Sequence, residues 1–148
     1  MIKIAIRMII AHFCADLLIY SPKLSGQKRK DELLQKLRAL GIHCAIHGAW
    51  VWVLLWPMDY RIRIRATLYI FVVHFVIDNT RLYIEKIFIN KEEFVIFKRK
   101  DFLLWLRGKP DEQMSKFMKK YFPKWLVLNI LDQAFHMASI LLFVVIFV

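Results

Sequence analysis

Apolar residues gather into four long runs, at about 4–20, 40–56, 66–82 and 125–148, with shorter polar stretches between them. Each run predicts a helix crossing a hydrocarbon core about 30 Å thick, the first two being a little short for that thickness. Ser21-Pro22 ends the first run, because proline disfavours helix in the residue before it, and Pro57 closes the second. Asp31-Glu32 predicts a helix start, after which Leu33, Leu34, Leu37 and Leu40 form one apolar face leading into the second span. Residues 58–65, with Arg61, Arg63 and Arg65, predict a tight extended turn at the membrane surface. In the long stretch 83–124, Gly108 and Pro110 break the chain. Met114, Phe117, Met118, Tyr121 and Phe122 then recur at helical spacing opposite Lys116, Lys119 and Lys120, a pattern that predicts a helix lying in the headgroup plane. The predicted fold is all-α: one domain, 1–148, with four transmembrane helices in an antiparallel bundle plus amphipathic interfacial helices.

Composition agrees with this reading. The 148 residues are 59% hydrophobic, with twelve Phe, five Trp and five Tyr, a surplus that a soluble fold of this size would struggle to cover. The formal charge of +11 would suggest nucleic acid, but the charges lie between the apolar runs. Eighteen of the 23 basic residues fall in 21–39 and in the stretch from Arg81 to Lys124. The positive-inside rule therefore places both loops, 21–39 and 83–124, in the cytoplasm and both termini outside it, in a multi-pass protein of the inner membrane. The N-terminus reads as a retained span, because Lys3, Arg7, His12 and Asp16 interrupt its apolar run. Cys14 and Cys44 read as small buried residues. Lys98-Arg99-Lys100 reads as a solvated or lipid-facing loop, and Trp50, Trp52 and Trp56 as packing and interfacial anchors.

Four pairs of ionisable residues change the picture. His12 and Asp16, His43 and His47, His74 and Asp78, Asp132 and His136 each stand four residues apart, one pair in each apolar run. All five histidines and three of the seven aspartates are there. Positions i and i+4 share a helix face, and ionisable groups inside a membrane are costly, by about 3 kcal/mol each on insertion scales. In an antiparallel bundle the pairs align in the cytoplasmic half. His12, His47, His74 and His136 form a deeper level, with Asp16, His43, Asp78 and Asp132 one turn shallower. Bundles build metal sites in this way. Imidazole and carboxylate suit a divalent transition metal, zinc first, with iron, manganese or nickel as alternatives. Asn79, Asn129, Gln133 and Ser139 are candidates to orient the ligands, and Arg81 to meet an anionic substrate headgroup.

The segments HFCAD at 12–16, HCAIH at 43–47, HFVID at 74–78 and LDQAFH at 131–136 resemble those of an uncharacterised family of small integral-membrane proteins of bacteria and their phages, domain of unknown function 3307. The resemblance covers the spans and not the long basic loop. It implies an integral-membrane helical protein with the His and Asp positions just named, and carries no activity with it. More distantly, the arrangement is similar to membrane-bound metal-dependent hydrolases.

The expected function is a metal-dependent hydrolase acting on a lipid or another membrane-embedded ester or phosphoester, with Asp132 or Asp78 as general base and the histidines as ligands. Two alternatives stand beside it. One is a transporter or channel for metal ions or protons; the other is a non-enzymatic membrane factor in which the His/Asp network only fixes the fold. Membrane lipid is the expected partner, nucleic acid is not, and self-association is left open.

Overall fold

The computed structural model describes residues 1–19, 21–89, 94–96, 99–109 and 111–148, with the side chains of 99–102 left undescribed. Seven helices and no strand occur among them: α1 (Ile2–Leu18), α2 (Pro22–Lys28), α3 (Leu33–Leu54), α4 (Tyr60–Phe88), α5 (Arg99–Leu106), α6 (Glu112–Lys120) and α7 (Phe122–Phe147). The long helices α1, α3, α4 and α7 pack as a ring, in the order α1, α3, α4, α7 and back to α1. Two of them, α3 and α7, are long and apolar enough to cross a membrane.

Local sequence sets the boundaries. The Ser21 hydroxyl accepts from the Leu24 amide, with Pro22 in the first turn of α2. Proline 22 therefore opens a helix, and the stretch expected to be a loop is largely helical. Asp59 accepts from the Arg61 amide and starts α4 at Tyr60. The predicted extended turn at 58–65 is thus corrected: Arg61, Arg63 and Arg65 lie on the first turns of α4. Arg63 holds that geometry by stacking over Trp52 and Trp56, each ring centroid 4.7 Å away. Gly108, at φ 70, closes α5 in the left-handed conformation that glycine tolerates best. The second span and its amphipathic entry are one unbroken helix, α3. Within it Leu40 is buried while Leu33 and Leu34 are exposed, so the four leucines do not share one packed face.

The bundle has two ends of different character. At one end Ile4, Met8, Ala11, Val51, Leu55, Ala66, Ile70, Ile140, Phe143 and Val144 form an apolar core drawn from all four long helices. Arg7 donates to the Leu54 carbonyl at 2.7 Å there, placing a cation at the C-terminus of α3. At the other end the interior is polar, and α2 lies across it against α3. The outer face is apolar on every side: Ile10, Phe13, Val53, Val72, Val76, Ile130, Phe135, Leu142 and Val145 are all exposed.

Helix α6 departs from expectation. Its stripe packs on protein: Met114 and Phe117 are buried, and Phe117 and Tyr121 join Ile89 in a cluster flanked by Phe94, Val95, Met118, Phe122 and Trp125. That stripe faces the end of α4 and the start of α7, which offer it an apolar partner without any lipid. Of the basic run 98–100, Lys98 lies outside the described residues. Cys14 and Cys44 are both free, and Cys44 is buried.

Candidate metal centre

The register of the four long helices brings the ionisable pairs together. On α1 and α4 the chain passes from His12 to Asp16 and from His74 to Asp78; on α3 and α7 it passes from His43 to His47 and from Asp132 to His136. Because α3 and α7 run opposite to α1 and α4, His12, His47, His74 and His136 meet at one level. Their ring centroids are 4.9 Å apart for His12–His47, 3.8 Å for His47–His74, 4.1 Å for His74–His136 and 4.9 Å for His136–His12. All four are buried. One turn along lie Asp16, His43, Asp78 and Asp132. Both predicted levels are thus present, and all eight residues converge.

The carboxylates stand between imidazoles. Asp16 Oδ1 is 3.2 Å from His47 Nε2 and 3.8 Å from His43 Nε2, and its Oδ2 is 3.4 Å from His12 Nε2. Asp78 Oδ1 faces His74 Nε2 at 3.6 Å and His136 Nε2 at 3.9 Å. Four overlapping trios each place one ligand atom per residue within 4.8 Å of the others: His12, His47 and His74; Asp16, His43 and His47; His43, His74 and Asp78; Asp78, Asp132 and His136.

Several of these atoms have a lone pair without a use. Among the described residues, both ring nitrogens of His74, His136 Nε2, His47 Nδ1 and Asp132 Oδ1 are buried without a hydrogen-bond partner. A buried polar atom left unpaired costs about 1–3 kcal/mol, so five such atoms on four residues of one cluster demand an explanation. His136 is also set up as a ligand. Its Nδ1 donates to the Asp132 carbonyl at 2.8 Å, which leaves Nε2 as the free lone pair. His12 is held differently: its Nε2 lies 3.0 Å from Gln133 Oε1, a bond it must give up to ligate through that nitrogen. The donor set, neutral imidazoles with carboxylates and no facing thiolate, fits a divalent transition metal.

A cavity of about 200 Å³ opens from the carboxylate level toward α2, lined by Asp16, His43, His74, Asp78, Asp132 and His136 and by Lys28, Arg29, Arg81, Asn129 and Gln133. Lys28 donates to Asp78 Oδ2 at 2.7 Å. Arg29 grips Glu85 through Nε at 2.5 Å and Nη2 at 3.0 Å. Arg81 donates to Asn129 Oδ1 at 2.9 Å, with Glu85 Oε2 3.5 Å away. Sequence reasoning reached Arg81, Asn129 and Gln133 but left Lys28 and Arg29 in the cytoplasmic loop 21–39 and gave Glu85 no role in the site. The available signal was the demand itself: several carboxylates in one apolar interior require cations from the nearest loop. Asn79 does not line the cavity, and Ser139 instead supports the helix, its hydroxyl donating to the His136 carbonyl.

The model of the family described as protein of unknown function (DUF3307) matches residues 4–148. The chain belongs to this family. The DUF3307 match runs through the basic stretch 83–124 as well as the long helices, where the resemblance read from the motifs alone had left that stretch out. No curated protein and no solved structure matches this DUF3307 chain.

Proposed function

We propose that α1, α3, α4 and α7 cross a membrane as an antiparallel bundle, with both termini outside the cytoplasm, and that the centre between them binds a divalent metal and hydrolyses a membrane-embedded ester or phosphoester. The observation that carries the reading is the convergence of an imidazole and a second His or Asp from each of four helices on one cluster, six of whose eight residues line a cavity, inside a bundle whose outer face is apolar. Ionisable groups in such an interior are retained for a task. Immersion accounts for the apolar exterior, which is far more continuous than a water-facing monomer tolerates. Among the described residues α3 and α7 alone pass on apolar length: α1 has only 17 residues, and α4 is charged toward both ends, with Arg61, Arg63 and Arg65 at one and Arg81, Glu85 and Lys86 at the other.

A bound zinc would lower the pKa of a water molecule to about 7 and polarise the substrate. The chain's own groups divide the remaining work. Asp78 is held by Lys28 at one oxygen and turns the other to His74 and His136, the position of a ligand. Asp132 keeps a buried oxygen without a partner and is the group placed to take a proton. The water oxygen joins the carbonyl carbon or phosphorus as the ester C–O or P–O bond breaks. The water's proton goes to Asp132 and from there to the leaving alkoxide. The apolar core at the opposite end of the bundle speaks against a path running through to the other face.

Elemental analysis of detergent-purified protein, paired with lipid hydrolysis assays, tests the reading. Wild type should carry a transition metal near stoichiometry, and the Asp132→Ala, His136→Ala double variant should lose most of it together with activity. Wild-type protein without bound metal, or hydrolysis indifferent to metal, would refute it.

A further inference from the structure

We propose that the cavity takes a phosphoryl oxyanion, presented on a lipid headgroup, in preference to a neutral carboxylic ester; this rests on the metal reading above and narrows its substrate. The first argument is charge. With neutral imidazoles, Asp16, Asp78, Asp132 and Glu85 bring four negative charges and Lys28, Arg29 and Arg81 bring three positive ones. The protein alone is therefore near balance. One divalent ion leaves the site with an excess of one positive charge, and two leave an excess of three. An uncompensated charge in a low-dielectric interior is expensive, and an anionic substrate removes the excess where a neutral ester leaves it standing.

The second argument is donor supply. Arg81 uses Nη2 on Asn129, while its Nε is buried without a partner among the described residues. Lys28 has three protons to give and spends one on Asp78. These two side chains, 18% and 11% exposed, line the same cavity as Asp132, Lys28 from α2 and Arg81 from α4. A planar guanidinium with a spare N–H beside an ammonium suits a tetrahedral oxyanion better than a single carbonyl oxygen. The third argument is size. A cavity of about 200 Å³ is smaller than the pockets that enclose a whole drug-sized ligand, so it accommodates a headgroup and leaves the tail outside.

The experiment titrates inorganic phosphate into the full-length, zinc-loaded protein in detergent, with metal content read on the same samples. Competition by phosphatidylcholine vesicles with and without phosphatidic acid follows, then by vesicles carrying diacylglycerol. Phosphate should bind, and Arg81→Gln and Lys28→Gln should each weaken it by about tenfold, the worth of one charge-assisted hydrogen bond. Arg81→Lys should recover part of the loss, and metal content should hold in Arg81→Gln. Competition from phosphatidic acid assigns the oxyanion to a lipid; competition from soluble phosphate alone keeps the phosphoryl class but assigns it to the free ion. Metal-loaded protein that ignores phosphate, or takes diacylglycerol equally well, overturns this inference and leaves the metal reading standing. Protein that binds no metal overturns both.

Discussion

Removing the Arg29 guanidinium offers a sharp test of how the polar end of the bundle is held. Arg29 and Glu85 form a two-point ion pair with side chains only 16% and 6% exposed, and it ties the end of α2 to α4. Arg29 also bonds the Ser25 carbonyl and hydroxyl at 2.9 and 2.7 Å and lies over the Phe94 ring. Breaking a buried pair from one side costs about 3–5 kcal/mol, because the other charge is stranded. In Arg29→Met, Glu85 still has Arg81 at 3.5 Å, so the lower end, about 3 kcal/mol, applies. Glu85→Gln strands Arg29 instead and should cost about the same. The double variant strands neither group and should be no worse than either single, a coupling of about 3 kcal/mol. For a chain of this length that means each single lowers Tm by about 6–12 °C and the double by no more. Thermal unfolding in detergent, followed by circular dichroism, reads all four proteins. Strictly additive losses in the double variant would show that the pair does not hold α2 and would refute the reasoning.

Other substitutions probe the fold directly, each by the same unfolding measurement. At Gly41, within α3, a Cβ would meet nothing within 4 Å. Gly41→Ala should therefore raise stability by about 0.8–1 kcal/mol, the difference in helix propensity, and an unchanged Tm would contradict the open space there. Phe143 is fully buried in the apolar core and contacts the Tyr69 ring. Phe143→Ala should cost about 3–5 kcal/mol, and a loss under about 1 would mean that this end of the bundle is not packed as described. Asp59→Ala removes the N-cap of α4 and should cost about 1 kcal/mol, with Asp59→Asn close to neutral.

The centre was legible in the sequence because it is written in helical spacing. His12 with Asp16, and Asp132 with His136, share a face by geometry alone, and alternating helix direction then fixes which members are level. The fold was less legible wherever tertiary contact decides. Nothing local distinguishes a Met114 and Phe117 stripe that meets lipid from one that meets Ile89 and Phe94; only the packed chain supplies the partner. Arg63 was misplaced in a turn because its stacking on Trp52 and Trp56 joins two helices. Lys28 and Arg29 look like any solvated basic run until α2 folds back over Asp78 and Glu85. Asp59 and Ser21 carried cap signals that the proline rule obscured.

The two-level centre has a consequence for how this chain can change in length. Successive residues of a helix are turned by about 100° and advanced by about 1.5 Å. One residue inserted in α1 between Met8 and His12, while the apolar core holds the start of the helix in place, would swing His12 and Asp16 off the interior face toward the outside. The same holds in α7 for an insertion between His136 and Ile140, where the core fixes one end and the centre the other. Side chains on the outer face point away from both the core and the centre, so this register constraint does not bear on their identity. The long helices therefore do not tolerate insertion or deletion, and growth or loss of residues is confined to the connections, above all the stretch between α4 and α6.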